Sequence, residues 1–116
     1  MSEFKKNHSF DQRSSEAKRI LKKYPDRVPI IIERNKNCKS LPKFDKNKYL
    51  VPDNISLGQL LQIVRRKISI KPEVAIFCFV NNIIPTSGIN IRKLYNSYKE
   101  NCGFLYLSIC TENTFG

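Results

Sequence analysis

Short apolar stretches separated by polar punctuation organise this chain. Phe10, Arg13, Ala17, Ile20, Leu21 and Tyr24 recur at three- and four-residue steps, which predicts a helix over residues 10–24 that lays one stripe on a core. Ser9 with Gln12 has the form of a capping box that opens this helix, and Pro25 closes the pattern. Val28-Pro-Ile-Ile-Ile-Glu33 is β-branched and ends at the polar Asn35-Lys-Asn-Cys-Lys-Ser40, predicting a strand; Lys48-Tyr-Leu-Val-Pro52 predicts a second. Ser56 with Gln59 repeats the capping box before Leu57, Leu60, Leu61, Val64 and Ile68, one apolar helical face that leaves Arg65, Arg66 and Lys67 to solvent. The run Ala75-Ile-Phe-Cys-Phe-Val80, closed by Asn81 and Asn82, predicts a central strand. A further helix is expected over residues 89–99, and Phe104-Leu-Tyr-Leu-Ser-Ile-Cys-Thr111 predicts the last strand. The order fits an α+β domain with helices packed on a sheet, the ubiquitin-like β-grasp among the candidates.

Composition narrows the class. A chain of 116 residues, 41% hydrophobic and 27% charged, can bury roughly two thirds of its unfolded surface around one core. No apolar run approaches the ~20 residues that span a bilayer, and the N-terminus lacks a secretory signal, so a soluble intracellular protein is expected. Cys38, Cys78, Cys102 and Cys110 show no C-x-x-C spacing and lie far from the one histidine, His8. No metal site or cofactor is therefore expected, and Cys78 and Cys110 read as small apolar strand residues with free thiols.

The net charge of +11 implies an acidic partner without choosing among nucleic acid, an anionic membrane and acidic peptides. Tyr95 and Tyr98 lie among basic residues, but no arginine-rich stripe or aromatic RNA-binding signature appears, so no specific nucleic acid is expected. Glu16, Glu33, Asp45, Asp53, Glu73 and Glu100 show no paired-carboxylate spacing and no phosphate-cradling glycine motif exists, which argues against an enzyme.

Five stretches, in order, resemble the autophagy ubiquitin-like modifiers, the GABARAP-like family: Lys23-Tyr-Pro-Asp-Arg-Val-Pro-Ile-Ile31, Lys48-Tyr-Leu-Val-Pro52, Ala75-Ile-Phe-Cys-Phe-Val-Asn81, Gly103-Phe-Leu-Tyr106 and Glu112-Asn-Thr-Phe-Gly116. The resemblance implies a ubiquitin-like β-grasp: a four-stranded sheet with two core helices, plus two appended N-terminal helices, one of them near residues 3–8. It divides the chain into an N-terminal extension (1–26), a ubiquitin-like core (27–111) and a tail (112–116).

What the resemblance implies about function follows residue by residue. Gly116 would be adenylated by an activating enzyme, passed as a thioester to a conjugating enzyme and joined to phosphatidylethanolamine, with a cysteine protease processing the precursor and removing the lipid. The protein would be cytoplasmic and, once lipidated, anchored on autophagosomes or related membranes. Short receptor and adaptor motifs with an aromatic residue, two variable residues and an aliphatic one would add a strand at residues 48–52. The aromatic pocket maps to Glu16, Ile20, Pro29, Ile31, Lys48, Leu50 and Phe104, and the aliphatic pocket to Tyr49, Val51, Pro52, Ile55, Leu60 and Ile63. By themselves Ile20 and Leu60 read as ordinary core positions, whereas Ile63 falls at the margin of its helix's buried face. Lys46, Lys48 and Lys67 match positions that meet acidic flanks. Lys67 replaces a frequent arginine and loses its two-pronged carboxylate geometry, and Asn82 stands where an aspartate is frequent.

Overall fold

A computed structural model describes residues 2–45 and 47–112. Four helices and four strands follow the chain: α1 (Glu3–Asn7), α2 (Phe10–Lys23), β1 (Arg27–Arg34), β2 (Lys48–Pro52), α3 (Leu57–Lys67), β3 (Ile76–Phe79), α4 (Ile91–Tyr98) and β4 (Leu105–Thr111). Both expected capping boxes form. The Ser9 and Ser56 hydroxyls accept from the amides of Gln12 and Gln59, whose side chains accept from the serine amides in return. Two otherwise unpaired amides are thereby satisfied at each start. Asn90 caps α4 in the simpler way, accepting from the Lys93 amide.

The sheet order is β2-β1-β4-β3, with β1 antiparallel to β2, parallel to β4, and β4 antiparallel to β3. The chain is thus α+β with a mixed sheet. This order corrects one expectation: β3 is an edge strand, and the centre belongs to β1 and β4. The apolar run at residues 75–80 is half solvated, with Phe77 43% exposed.

Alternation along β1 and β4 divides the interior between two sheet faces. Val28, Ile30 and Ile32 with Leu105, Leu107 and Ile109 face α3 and α4, packing with Leu57, Leu60, Val64, Ile91, Leu94 and Tyr95. Ile31 points the other way, into a second cluster with Phe4, Ala17, Cys102 and Phe104. The N-terminal helices cover that face. The stripe predicted for α2 is therefore narrower than expected: Ala17 is buried and Ile20 and Leu21 half-buried, while Phe10 and Tyr24 are exposed. Arg13 reaches back to donate to the Tyr106 hydroxyl at 3.1 Å. Burial, and then the hydrogen bond with Cys102, raise the Tyr106 pKa, so its hydroxyl stays protonated.

The α2 contact depends on one glycine. Gly103 turns into β4 at φ +101°, and a Cβ there would lie 2.8 Å from the Ala17 Cβ. Only glycine serves both the left-handed backbone and that close approach.

The cysteines depart from the expectation at Cys110, which is not a free thiol. Cys38, in the connection between β1 and β2, is disulfide-bonded to Cys110 on β4, while Cys78 and Cys102 are free and buried. Among the described residues no helix is long and apolar enough to cross a membrane, and no cluster of His, Cys, Asp and Glu could hold a metal.

Candidate peptide-docking edge

β2 pairs with β1 through Pro29↔Leu50 and Ile31↔Lys48 on one face, and through Val28↔Val51 and Ile30↔Tyr49 on the other. Among the described residues no strand pairs with its far side. An extended peptide could hydrogen-bond to that backbone while its alternate side chains fall to the two faces of the sheet.

On the α2 face, the floor is Ile31 and Phe104, both fully buried, with Pro29 buried beside them. Ile20 packs on this cluster from α2, half-buried. Glu16, one turn earlier, bonds the Lys48 ammonium at 2.5 Å, joining α2 to β2 across the floor. That ammonium also stands 5.6 Å above the Phe4 ring, which meets Phe104 edge-on with centroids 5.3 Å apart. Glu16, Ile20, Pro29, Ile31, Lys48 and Phe104 therefore lie together on this face, and Leu50 follows Lys48 along the same face of β2. Phe4 is a member of this site that sequence reading missed. It is one apolar residue in a five-residue helix, too short for a periodicity.

On the α3 face, a cleft of about 450 Å³ is lined by Asp45, Asn47, Lys48, Tyr49, Leu50, Ile63 and Lys67. It joins Tyr49 and Ile63 of the expected aliphatic pocket to the exposed Lys67. The remaining members sit elsewhere. Val51 and Leu60 are 3% and 0% exposed and belong to the main core. Ile55 packs half-buried on that core, and Pro52 is half-buried opposite Arg27. Asp45 and Asn47 line the cleft unforeseen. The Tyr49 hydroxyl is buried without a hydrogen-bond partner among the described residues, and burial raises its pKa. Such an orphan donor costs about 1–3 kcal/mol. Lys46 and Gly116 lie outside the described residues.

Residues 12–116 match the family model described as autophagy protein Atg8, ubiquitin like. Autophagy-related protein 8 of Mycosarcoma maydis is 44% identical over 115 residues, 99% of this chain and 97% of the relative. Autophagy-related protein 8d of Arabidopsis thaliana is 45% identical over 116 residues, covering 100% of this chain and 96% of its own. Among solved structures, the crystal structure of Trypanosoma brucei ATG8 superposes with a TM-score of 0.93 at 34% identity, covering 100% of this chain and 99% of that one. Plasmodium falciparum Atg8, in complex with a Plasmodium falciparum Atg3 peptide, superposes with a TM-score of 0.84 at 35% identity, covering 97% of this chain and all of that one.

Proposed function

Because this chain belongs to the Atg8 family of ubiquitin-like autophagy proteins, we propose that it is a modifier joined through Gly116 to phosphatidylethanolamine, which then recruits motif-bearing receptors to autophagosomal or related membranes. The carboxylate of a glycine is unhindered, and its backbone can thread a narrow active site. Catalysis then belongs to partners: an activating enzyme, a conjugating enzyme and a delipidating cysteine protease. The two-chain lipid supplies the membrane anchor that the domain itself lacks among its described helices.

The observation that supports recruitment most is the far side of β2, with which no strand pairs among the described residues, set between the Ile31 and Phe104 floor and the cleft that holds Ile63 and Lys67. An aromatic side chain of the incoming strand is assigned to the first and its aliphatic residue to the second. Lys48 and Lys67 receive the acidic flank, joined by Lys46. A peptide of the conjugating enzyme is a fitting occupant as well, since the Plasmodium falciparum relative was solved with an Atg3 peptide. Amide chemical-shift mapping with an acidic-flanked aromatic-x-x-aliphatic peptide tests the reading. Shifts concentrated on residues 48–52, Ile63 and Lys67 support it, and shifts confined to β3 and α4 would overturn it.

A further inference from the structure

The connection between β1 and β2 runs back over the end of β4 and is lashed there by polar contacts. Arg34 donates to the Leu41 carbonyl at 3.1 Å, and the Asn35 side chain donates to the Ser108 hydroxyl at 3.1 Å. The Ser40 hydroxyl donates to the Thr111 carbonyl at 2.8 Å and lies 2.9 Å from the Thr111 hydroxyl. Cys38 and Leu41 are each only 5% exposed and pack against the main core. These contacts hold Cys38 beside Cys110 although 72 residues separate them, with a Cα–Cα distance of 5.4 Å. That distance lies in the ordinary disulfide range, so closing or opening the bond requires no backbone displacement.

We propose that Cys38 and Cys110 form a reversible dithiol–disulfide site, oxidised by small-molecule disulfides of the glutathione type, that clips the β1–β2 connection onto β4 at the root of the C-terminal tail. Cys110 is the more accessible of the two. Its thiolate attacks the small disulfide, forming a mixed disulfide and releasing one small thiol. The Cys38 thiolate then attacks the Cys110 sulfur and displaces the second. Two protein S–H bonds are exchanged for one S–S bond while the oxidant is reduced to two thiols. Where a glutathione pool keeps thiols reduced the pair is open, and a rise in the oxidised form closes it.

The other cysteines are poor competitors. Cys78 is buried in β3, and burial pushes its thiol up to about 12. Cys102 is 3% exposed under α2, between the Arg13 guanidinium and the Tyr106 hydroxyl. The bond joins segments far apart in sequence, so it restricts the unfolded chain strongly, and its closure is expected to raise the thermal midpoint by roughly 10 °C. Hydrogen exchange across residues 36–45 should slow with it.

The test equilibrates the intact chain with mixtures of glutathione disulfide and glutathione, quenches with an alkylating agent under denaturing conditions, and maps the peptides by mass. The expected product has lost two hydrogens, joins the Cys38 and Cys110 peptides, alkylates only Cys78 and Cys102, and reverts with dithiothreitol. Cys38→Ser should stall as a glutathione adduct on Cys110. Four alkylated thiols in the most oxidising mixture, a link through Cys78 or Cys102, or a lasting glutathione adduct on the wild-type chain would each overturn the proposal.

Discussion

Lys48 on β2 and Glu16 on α2 meet at 2.5 Å, so one ion pair joins the elements on either side of the buried Ile31 and Phe104. If the edge docks an aromatic side chain on those residues as proposed, this pair is expected to part and leave the ammonium to an acidic peptide flank. The contact adds little to stability, since pairs this exposed contribute only ~0–1 kcal/mol.

Lys48→Glu is therefore expected to weaken an acidic-flanked motif peptide about tenfold or more while barely moving the unfolding midpoint. Calorimetric titration at two salt concentrations checks it. The wild-type affinity should fall with salt more steeply than that of the variant.

Leu60 and Ile63, three residues apart on α3, should separate core from cleft. Leu60→Ala removes a fully buried side chain and is expected to cost 2–5 kcal/mol of stability. Ile63→Ala trims a half-buried wall of the cleft and should reduce peptide affinity about tenfold at a smaller cost in stability. Urea unfolding and peptide titration on the same two variants show which residue does which.

Gly103→Ala puts a methyl group against Ala17 at a left-handed backbone position. A loss of roughly 2–4 kcal/mol is expected from strain and overpacking together. Hydrogen exchange should show α2 loosened before the sheet, because its docking surface is what the new Cβ meets.

Alkaline pH should destabilise the fold, beginning with Cys78. Its buried thiol titrates near 12 when folded, against the ordinary value of 9.0. The unfolded chain thus gives up that proton first, and stability present below pH 9 is lost as pH rises toward 12. The slope attributable to one such group is at most about 1.4 kcal/mol per pH unit. Cys78→Ala should flatten the decline that sets in near pH 9, while Tyr49, Tyr95 and Tyr106, also raised by burial, add their own decline in both proteins as pH nears their ordinary value of 10.0. Denaturant melts in reductant at pH 8, 9 and 10 measure the difference.

Local features of the fold were legible because local physics decides them. Ser9 and Ser56 announced α2 and α3 through caps whose partners lie three residues away, and the β-branched run at residues 28–33 announced β1. Strand order was not legible in the same way. The run at residues 75–80 is apolar enough for a central strand, yet pairing between β1 and β4, which contact across more than 70 positions of sequence, places it at an edge. Periodicity cannot report such partners. Exposure of Phe77 and the Cys38–Cys110 bond follow from that same long-range arrangement.

The docking edge was half legible. The residues of the two expected pockets came from the family resemblance; the alternation of Lys48 and Tyr49 across β2 agrees with their lying on opposite faces. Whether a position is floor or core depends on what packs above it. Val51 and Leu60, assigned to the aliphatic pocket by resemblance, are sealed beneath the sheet and α3. Phe4 entered the aromatic site from a segment whose composition carries no helical signal. Asp45 entered the cleft through a connection whose path no pattern predicts.

The central claim is conjugation through Gly116, and intact-mass analysis tests it most directly. The chain and its Gly116→Ala variant are incubated with ATP, active activating and conjugating enzymes from the same family pathway, and phosphatidylethanolamine vesicles. The account predicts a gain of one lipid mass on the wild-type chain, blocked or strongly slowed in the variant. An unmodified wild-type chain, alongside a relative that the same enzymes lipidate fully, would contradict it and leave a peptide-binding scaffold that is never conjugated.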